Sequence, residues 1–331
     1  MIERIYIEKS VRDQERVTGL CRRHPRAEII ECDRYTEVFN LRSQDFRLQK
    51  KAPALILARK FKTFVMPVPD GYGIGHSQNF YFSHFLNCLY DCRYCFLQGL
   101  YRSANYVLFV NDEEFQTAIR EEAARHPTHS TCFFSGYDCD SFALESISGF
   151  VESYLPFFAS LPEAAFELRT KSLKARLLLD HEPLRNVVVA FSLTPGPVSQ
   201  ALEHRVPPLE KRLELMGKLA NHGWPIGLRF DPLIHHQGFE KTYRNLFDDV
   251  FARVCPEAVH SASFGSLRFP RGMFDRIARL YPEERLFAAG LKDSEGMVAY
   301  PDEVEATMAE FCTRELRKHL TERQVFHCPP H

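Results

Sequence analysis

The chain has 331 residues, 45% of them hydrophobic and 13% aromatic, and its 42 Lys and Arg nearly balance 43 Asp and Glu for a formal net charge of −1. That length and composition suit one large α/β domain with an appendage, or two ordinary domains, and exclude wholesale disorder. The near-neutral balance gives no overall positive field of a nucleic-acid binder and leaves open only a local basic face.

The N-terminal "MIERIYIEKSVRDQERV" is charged throughout and has no apolar signal-peptide core. No apolar run reaches 18 residues, so the expectation is a cytoplasmic protein without a membrane span. Within residues 1–78, "RIYIE" and "PALILARK" read as short strands separated by polar sequence. Gly71, Gly73 and Gly75 of "PDGYGIGHSQ" precede neither a helical pattern nor a Lys-Ser/Thr pair, so that stretch reads as a linker or turn.

From residue 79 onward six apolar runs recur: "NFYFSHF", "TCFFSG", "AFELRTK", "VVVAFSLT", "IGLRFDPLI" and "SASFGSLRF". Helix-like spacing lies between them in "DEEFQTAIREEAARH", "ALESISGFVESYLPFFASL", "LKARLLLDH", "PPLEKRLELMGKLANHG" and "YRNLFDDVFARV". This alternation predicts a parallel sheet joined by right-handed crossovers, either doubly wound or barrel-like. "VEATMAEFCTRELRKHL" reads as a final helix, followed by a loose "TERQVFHCPPH".

Ten cysteines in a reducing compartment point to metal or redox chemistry at some of them. Cys21, Cys32, Cys132, Cys255 and Cys312 stand alone and read as small buried residues. Cys88, Cys92 and Cys95 form a C-x3-C-x2-C run in "NCLYDCRYCFLQ", just after the first predicted barrel strand. A zinc site would want a fourth protein ligand, for which His84 or the C-terminal His327, Cys328 and His331 are the available donors. A four-iron cubane held by three thiolates instead leaves one iron open to chelate a molecule with an amino and a carboxylate group. The run also lies at the strand C-termini, where barrel enzymes place their chemistry.

The cysteine run with an aromatic before its last Cys resembles the signature of the radical S-adenosylmethionine (SAM) superfamily. The wider sequence resembles its spore photoproduct lyase branch, through "CRYCFLQ", "ANYVLFVN", "FELRTKSLKARLLLD", "VVVAFSLTP", "GLRFDPLIHHQGFEKTYRNLFDD" and "SLRFPRGMFDRIARLYPEERL". The resemblance implies a partial (β/α)6 TIM-type barrel over residues 79–331 with a C-terminal substrate-covering segment and helix. A small N-terminal α/β extension, residues 1–78, would pack on it. It also implies that Cys88, Cys92 and Cys95 hold a 4Fe–4S cluster that reductively cleaves SAM to a 5′-deoxyadenosyl radical, which takes hydrogen from carbon. Tyr94 would lie beside the adenine, and Lys171 and Ser192 would contact the methionine carboxylate and the ribose. Cys139 falls where the family carries a SAM-contacting serine. The implied partners are SAM, a substrate, and an electron donor such as a flavodoxin or ferredoxin.

The departures from the family pattern fall near the substrate. The family's hydrogen-donating cysteine is replaced by Tyr137, with Cys139 two residues on, and its relay tyrosine after the third cluster cysteine by Phe96, which has no hydroxyl. The family's Arg-Tyr hairpin becomes "GLKDSEGMVAY", with Lys292, Asp293 and Glu295, whose carboxylates would repel a DNA backbone. Asp231 replaces a small residue and would hydrogen-bond a ribose or a polar substrate, or else initiate a turn before Pro232. The expectation is therefore a radical SAM enzyme acting on a nucleoside-like or other polar substrate. The alternatives are a DNA lesion lyase with Tyr137 or Cys139 as hydrogen donor, and a structural metal-cluster protein.

Overall fold

The computed structural model describes residues 2–288 and 290–328. Its main sheet has eight strands in the order 325–327, 259–266, 226–233, 187–192, 164–170, 131–135, 78–82 and 65–67. The six predicted barrel strands are Gln78–Phe82, Thr131–Ser135, Ala164–Thr170, Val187–Ser192, Ile226–Leu233 and Val259–Ser266. All five pairings between them are parallel, giving the curled partial barrel. Strands Thr131–Ser135 and Val187–Ser192 are buried at every position, as a sheet covered on both faces requires.

One face of the sheet is apolar. Phe133, Phe158 and Phe166 are fully buried there, with the Phe158 and Phe166 rings 4.0 Å apart. The other face points into the barrel and is charged. Glu167 and Arg169 of the third barrel strand, and Lys171 just past its end, alternate in sequence toward that face. Arg229 of the fifth strand donates to Glu167 at 2.6 and 3.1 Å and to Ser261 at 2.8 and 3.0 Å, and neither Glu167 nor Arg229 is exposed. Gly227 makes room for this pair, because a Cβ there would come within 2.9 Å of both Ala190 Cβ and Arg229 Nη2. Burial alone would raise the Glu167 carboxyl, but the Arg229 and Arg169 guanidiniums hold it at about 2.

The expected helices are present, with local differences. "LKARLLLDH" winds as a 3-10 helix, Leu173–Asp180, and the stretch after Leu144 breaks at Gly149 (φ 59°) into Glu145–Ser148 and Phe150–Ala159. The tail is corrected outright. Val325–His327 is a strand that pairs in parallel with Val259–Ser266, and Cys328 N donates to Phe264 O at 2.8 Å, so the segment read as loose closes the sheet edge. The polar composition of "TERQVFH" hid a three-residue edge strand, which needs only one buried face.

The N-terminal residues build a second, five-stranded sheet in the order 28–32, 4–8, 55–58, 106–109 and 85–86. Its last two strands come from beyond residue 78, so both parts of the chain share this sheet. Among the described residues no helix is long and apolar enough to cross a membrane.

Replacing Arg229 by Met strands a buried carboxylate and is expected to cost roughly 3–5 kcal/mol in urea unfolding. The Glu167→Leu/Arg229→Met double variant should recover most of that loss. Because Glu167 is held below its ordinary 4.5, its contribution is complete above that pH and vanishes as pH falls toward about 2. The double variant should therefore lose stability less steeply than the parent over that interval, and equal slopes would contradict the account.

Candidate active site

The chain enters the cysteine loop through Asn87, whose φ of 70° and amide hydrogen bonds to Ser103 O (2.8 Å) and Asn105 O (2.6 Å) fix the approach to Cys88. Lys50, buried under its own short helix, donates to Cys88 O at 3.0 Å and Tyr90 O at 2.9 Å. Asp91–Cys92 pairs antiparallel with Glu203–His204, tying the loop to the segment after the fourth barrel strand. Cys95 N then donates to Cys92 O at 3.1 Å, and Leu97–Leu100 continues as a short helix.

The three thiols line one cavity of about 270 Å³ together with Tyr94, Lys171, Ser192, Tyr137, Cys139 and Asp231. The structure thus brings every residue singled out for cluster, cofactor or catalysis to one place, at the C-terminal edge of the barrel strands. Burial pushes the Cys88 thiol up to about 12 and the Cys92 thiol well above its usual range. Among the described residues no group of three or more His, Cys, Asp or Glu forms a ready-made metal shell. Holding a metal there would require these thiols to give up their protons, because thiol deprotonation is coupled to metal binding.

The zinc donors considered from sequence lie elsewhere. His84 is 3% exposed, sits 4.3 Å from the Phe150 ring beside Phe82 and Tyr154, and does not line the cavity. His327 stacks on Phe264 at the sheet edge, Cys328 is buried beside it, and His331 lies outside the described residues.

Glu203 organises the cofactor side. It accepts from Arg212 at 2.6 Å, Ser199 at 2.5 Å, Thr194 at 3.1 Å and the Tyr94 hydroxyl, with Lys171 Nζ at 3.9 Å. Burial would raise this carboxyl, but Lys171 and Arg212 overcome it and keep it lowered. Lys171 also lies 5.6 Å over the Tyr94 ring, and Arg212 Nη1 holds Ser192 O at 3.0 Å.

On the second loop, Gly136 turns at φ 89°, where a Cβ would meet Ser141 Oγ at 2.9 Å and Arg169 O at 3.0 Å. Asp140 pins the remainder of that loop to the third strand, accepting from Lys171 N (2.6 Å), Thr170 Oγ1 (2.7 Å), Ala143 N (2.9 Å) and Phe142 N (3.0 Å). Tyr137 stacks on Tyr81 at 4.7 Å, and burial raises both its hydroxyl and the Cys139 thiol. Phe96 also lines the cavity and is 40% exposed.

The cavity also has Arg169, Arg268 and Tyr72 on its lining, which sequence reasoning missed, beside the predicted Asp231. Arg169 donates to Glu167 at 3.1 Å, and Asp231 accepts from Ser263 at 3.2 Å. Burial raises the Asp231 carboxyl, with Arg169 and Arg268 opposing. Arg268 donates to Tyr72 Oη at 2.8 Å and to Cys328 O at 3.2 Å. The glycine stretch read as a turn does connect two antiparallel strands, yet it also carries Tyr72 to the cavity. The period-2 charge pattern Glu167-Arg169-Lys171 was the one available signal for a polar interior; Tyr72, Lys50 and Glu203 carried none. Lys292, Asp293 and Glu295 are not among the cavity's lining residues, although Arg268–Pro270, the third strand of their small sheet, brings Arg268 and Phe269 there.

A partial parallel barrel whose first strand leads into a C-x3-C-x2-C loop facing such a cavity is the architecture of a radical SAM protein. The family model for spore photoproduct lyase matches residues 76–323, and the chain belongs to that family. The curated spore photoproduct lyase of Bacillus subtilis (strain 168) is 26% identical over 202 residues, and that of Clostridium acetobutylicum 22% over 200. Each alignment covers 60% of this chain, which spans 59% of the length of either relative. A solved spore photoproduct lyase variant with bound AdoMet and dinucleoside spore photoproduct superposes with a TM-score of 0.83 at 17% identity, over 99% of this chain and 98% of that one.

Lys50→Met keeps the apolar stem but leaves Cys88 O and Tyr90 O without their donor, a loss of about 1–3 kcal/mol. In the metal-free protein, alkylation of Cys88 followed by peptide mapping should accelerate roughly tenfold, reporting easier opening of the loop. An unchanged rate would show that Lys50 does not hold it.

Proposed function

We propose that this protein is a radical SAM enzyme that removes a hydrogen atom from a carbon of a nucleoside-like or other polar substrate. The observation that carries this reading is the shared cavity, lined by the three cysteines together with Tyr94, Lys171 and Ser192. Cys88, Cys92 and Cys95 would hold a 4Fe–4S cluster that, with SAM and a flavodoxin- or ferredoxin-like reductant, would supply the 5′-deoxyadenosyl radical. The residues fit that pair. Cys88, Cys92 and Cys95 would supply three thiolates to the cluster. Lys171 offers an ammonium to the methionine carboxylate, and Ser192, oriented through its carbonyl by Arg212, offers a hydroxyl to the ribose. Tyr94 presents its ring to the adenine, with its hydroxyl anchored away on Glu203. Thiolate ligation of an iron–sulfur centre also suits a cytoplasmic location.

The substrate would meet Tyr137, Arg169 and Asp231, which line the same cavity. Arg169 offers donors and Asp231 an acceptor, a polar lining suited to a compact substrate with both kinds of group.

A second reading, a lyase that reverses a thymine-dimer-type spore photoproduct in DNA, is favoured by family membership and by the full-length likeness to a lyase with bound dinucleoside spore photoproduct. There the substrate radical would recover its hydrogen from the Tyr137 hydroxyl or the Cys139 thiol. Both groups line the cavity and are kept protonated by burial.

Anaerobically reconstituted protein with dithionite should release 5′-deoxyadenosine from SAM, and Cys88→Ala, Cys92→Ala and Cys95→Ala should each reduce release to background. Retained cleavage in any of the three would refute the ligand assignment. Offered a spore-photoproduct dinucleotide, the enzyme should cleave SAM without thymine release if the first reading holds. Coupled thymine release would instead establish the lyase, and loss of coupling in Tyr137→Phe or Cys139→Ala would then identify the hydrogen donor.

A further inference from the structure

Four of the chain's ten cysteines line the central cavity, the three of the C-x3-C-x2-C run and Cys139. Cys139 is brought there by the loop that follows the second barrel strand. Ser135 and Ser141 close the base of that loop with their hydroxyls 2.7 Å apart, and Ser141 N donates to Arg169 O at 3.0 Å. Both acids that flank Cys139 are committed elsewhere. Asp138 accepts from Ser83 Oγ, and Asp140 from Lys171 N, Thr170 Oγ1, Ala143 N and Phe142 N. The buried cysteine between them is left to the cavity.

Its surroundings set it against the cysteine run. Cys139 belongs to the apolar cluster that contains Phe85 and Tyr106, and Phe85 lies just upstream of Cys88 in sequence. Burial raises the Cys139 thiol, and Cys88 is the neighbouring group that adds most to it. Burial also raises the Cys88 thiol, and there Asp140, next to Cys139, adds most. A single metal ion needs its ligands in a tight shell, and among the described residues no group of three or more His, Cys, Asp or Glu forms one. A cubane spreads its ligands over four irons, so four thiols placed around a cavity can serve it without that shell.

We propose that Cys139 is a displaceable fourth ligand, which caps the cluster's remaining iron until SAM arrives. The inference rests on the radical SAM reading, which puts a cluster on Cys88, Cys92 and Cys95 with one iron unclaimed by them. On capping, the Cys139 S–H bond breaks, a sulfur–iron bond forms and the proton passes to solvent. When the amino and carboxylate groups of SAM chelate that iron, the sulfur–iron bond breaks and the thiolate recovers a proton. No electron moves in either direction. Cys139 suits both states, because thiolate is the soft donor that iron–sulfur centres favour and burial favours the neutral thiol once it is released. The cap retains the iron while SAM is absent, and its release is tied to the ligand that the chemistry requires.

The test uses anaerobically reconstituted full-length protein, with SAM as the probe. Ferricyanide oxidation strips an uncapped iron and leaves a three-iron cluster, which electron paramagnetic resonance detects. Without SAM, Cys139→Ala should form that species roughly tenfold faster than the wild type, and saturating SAM should bring the two rates together. Mössbauer spectroscopy of the wild type needs no variant. It should show four like irons without SAM, one of which becomes distinct when SAM is added. Equal oxidation rates without SAM, or a distinct iron already present before SAM, would overturn the proposal. If that wild type still cleaves SAM, the cap alone is lost and the radical SAM reading stands. A wild type that takes up no iron would sink that reading, and the cap with it.

Discussion

Glu203 is a carboxylate buried at a point where three separate segments must meet, and the site depends on how its charge is compensated. Arg212 from the following helix, Lys171 from the end of the third barrel strand and the hydroxyl of Tyr94 from the cysteine loop all converge on it. A buried carboxylate without such partners would be strongly destabilising, so each segment is held to a position that the others define. The cysteine run is thereby fixed opposite Lys171 and Ser192, although it lies about eighty to a hundred residues from them in sequence. Glu167, shared by Arg229 and Arg169, does the same for the cavity-lining Arg169. The barrel interior is thus a charged lattice rather than an apolar plug, and the cavity is the part of that lattice left open.

The parallel sheet was legible in the sequence because each strand is a short apolar run bounded by helical spacing. All six runs became neighbouring strands in chain order. What escaped were pieces that periodicity does not mark. Val325–His327 and Glu28–Cys32 are edge strands with at most one buried face, and Val65–Pro67 is three residues long. The site divides the same way. Cys88, Cys92 and Cys95 announce themselves by spacing, and Lys171 and Ser192 by family resemblance at strand ends. Glu203, Lys50 and Tyr72 act through long-range contacts that only the folded chain creates, so no local pattern could reveal them.

The departures from the family pattern acquire a physical setting in the fold. Tyr137 is stacked on Tyr81 and buried, Asp231 sits among three arginines, and Phe96 faces the cavity without a hydroxyl. The hairpin acids stand away from the cavity, with Asp293 paired to Arg271 at 3.0 Å. The cavity thus holds both the residues that the family resemblance assigns to SAM and the departures Tyr137, Asp231 and Phe96. On the proposed function, the first group would serve radical generation and the second would set what the radical meets.

The central claim is that three thiolates hold a cluster whose remaining iron is reserved for SAM. Pulsed ENDOR spectroscopy of the reduced, reconstituted protein, with SAM isotopically labelled at its amino nitrogen and carboxylate, tests it directly. The account predicts magnetic coupling of both labels to the cluster, reporting chelation of one iron by the two groups. A cluster signal with no coupling to either label, or a protein that retains zinc and takes up no iron, would contradict it.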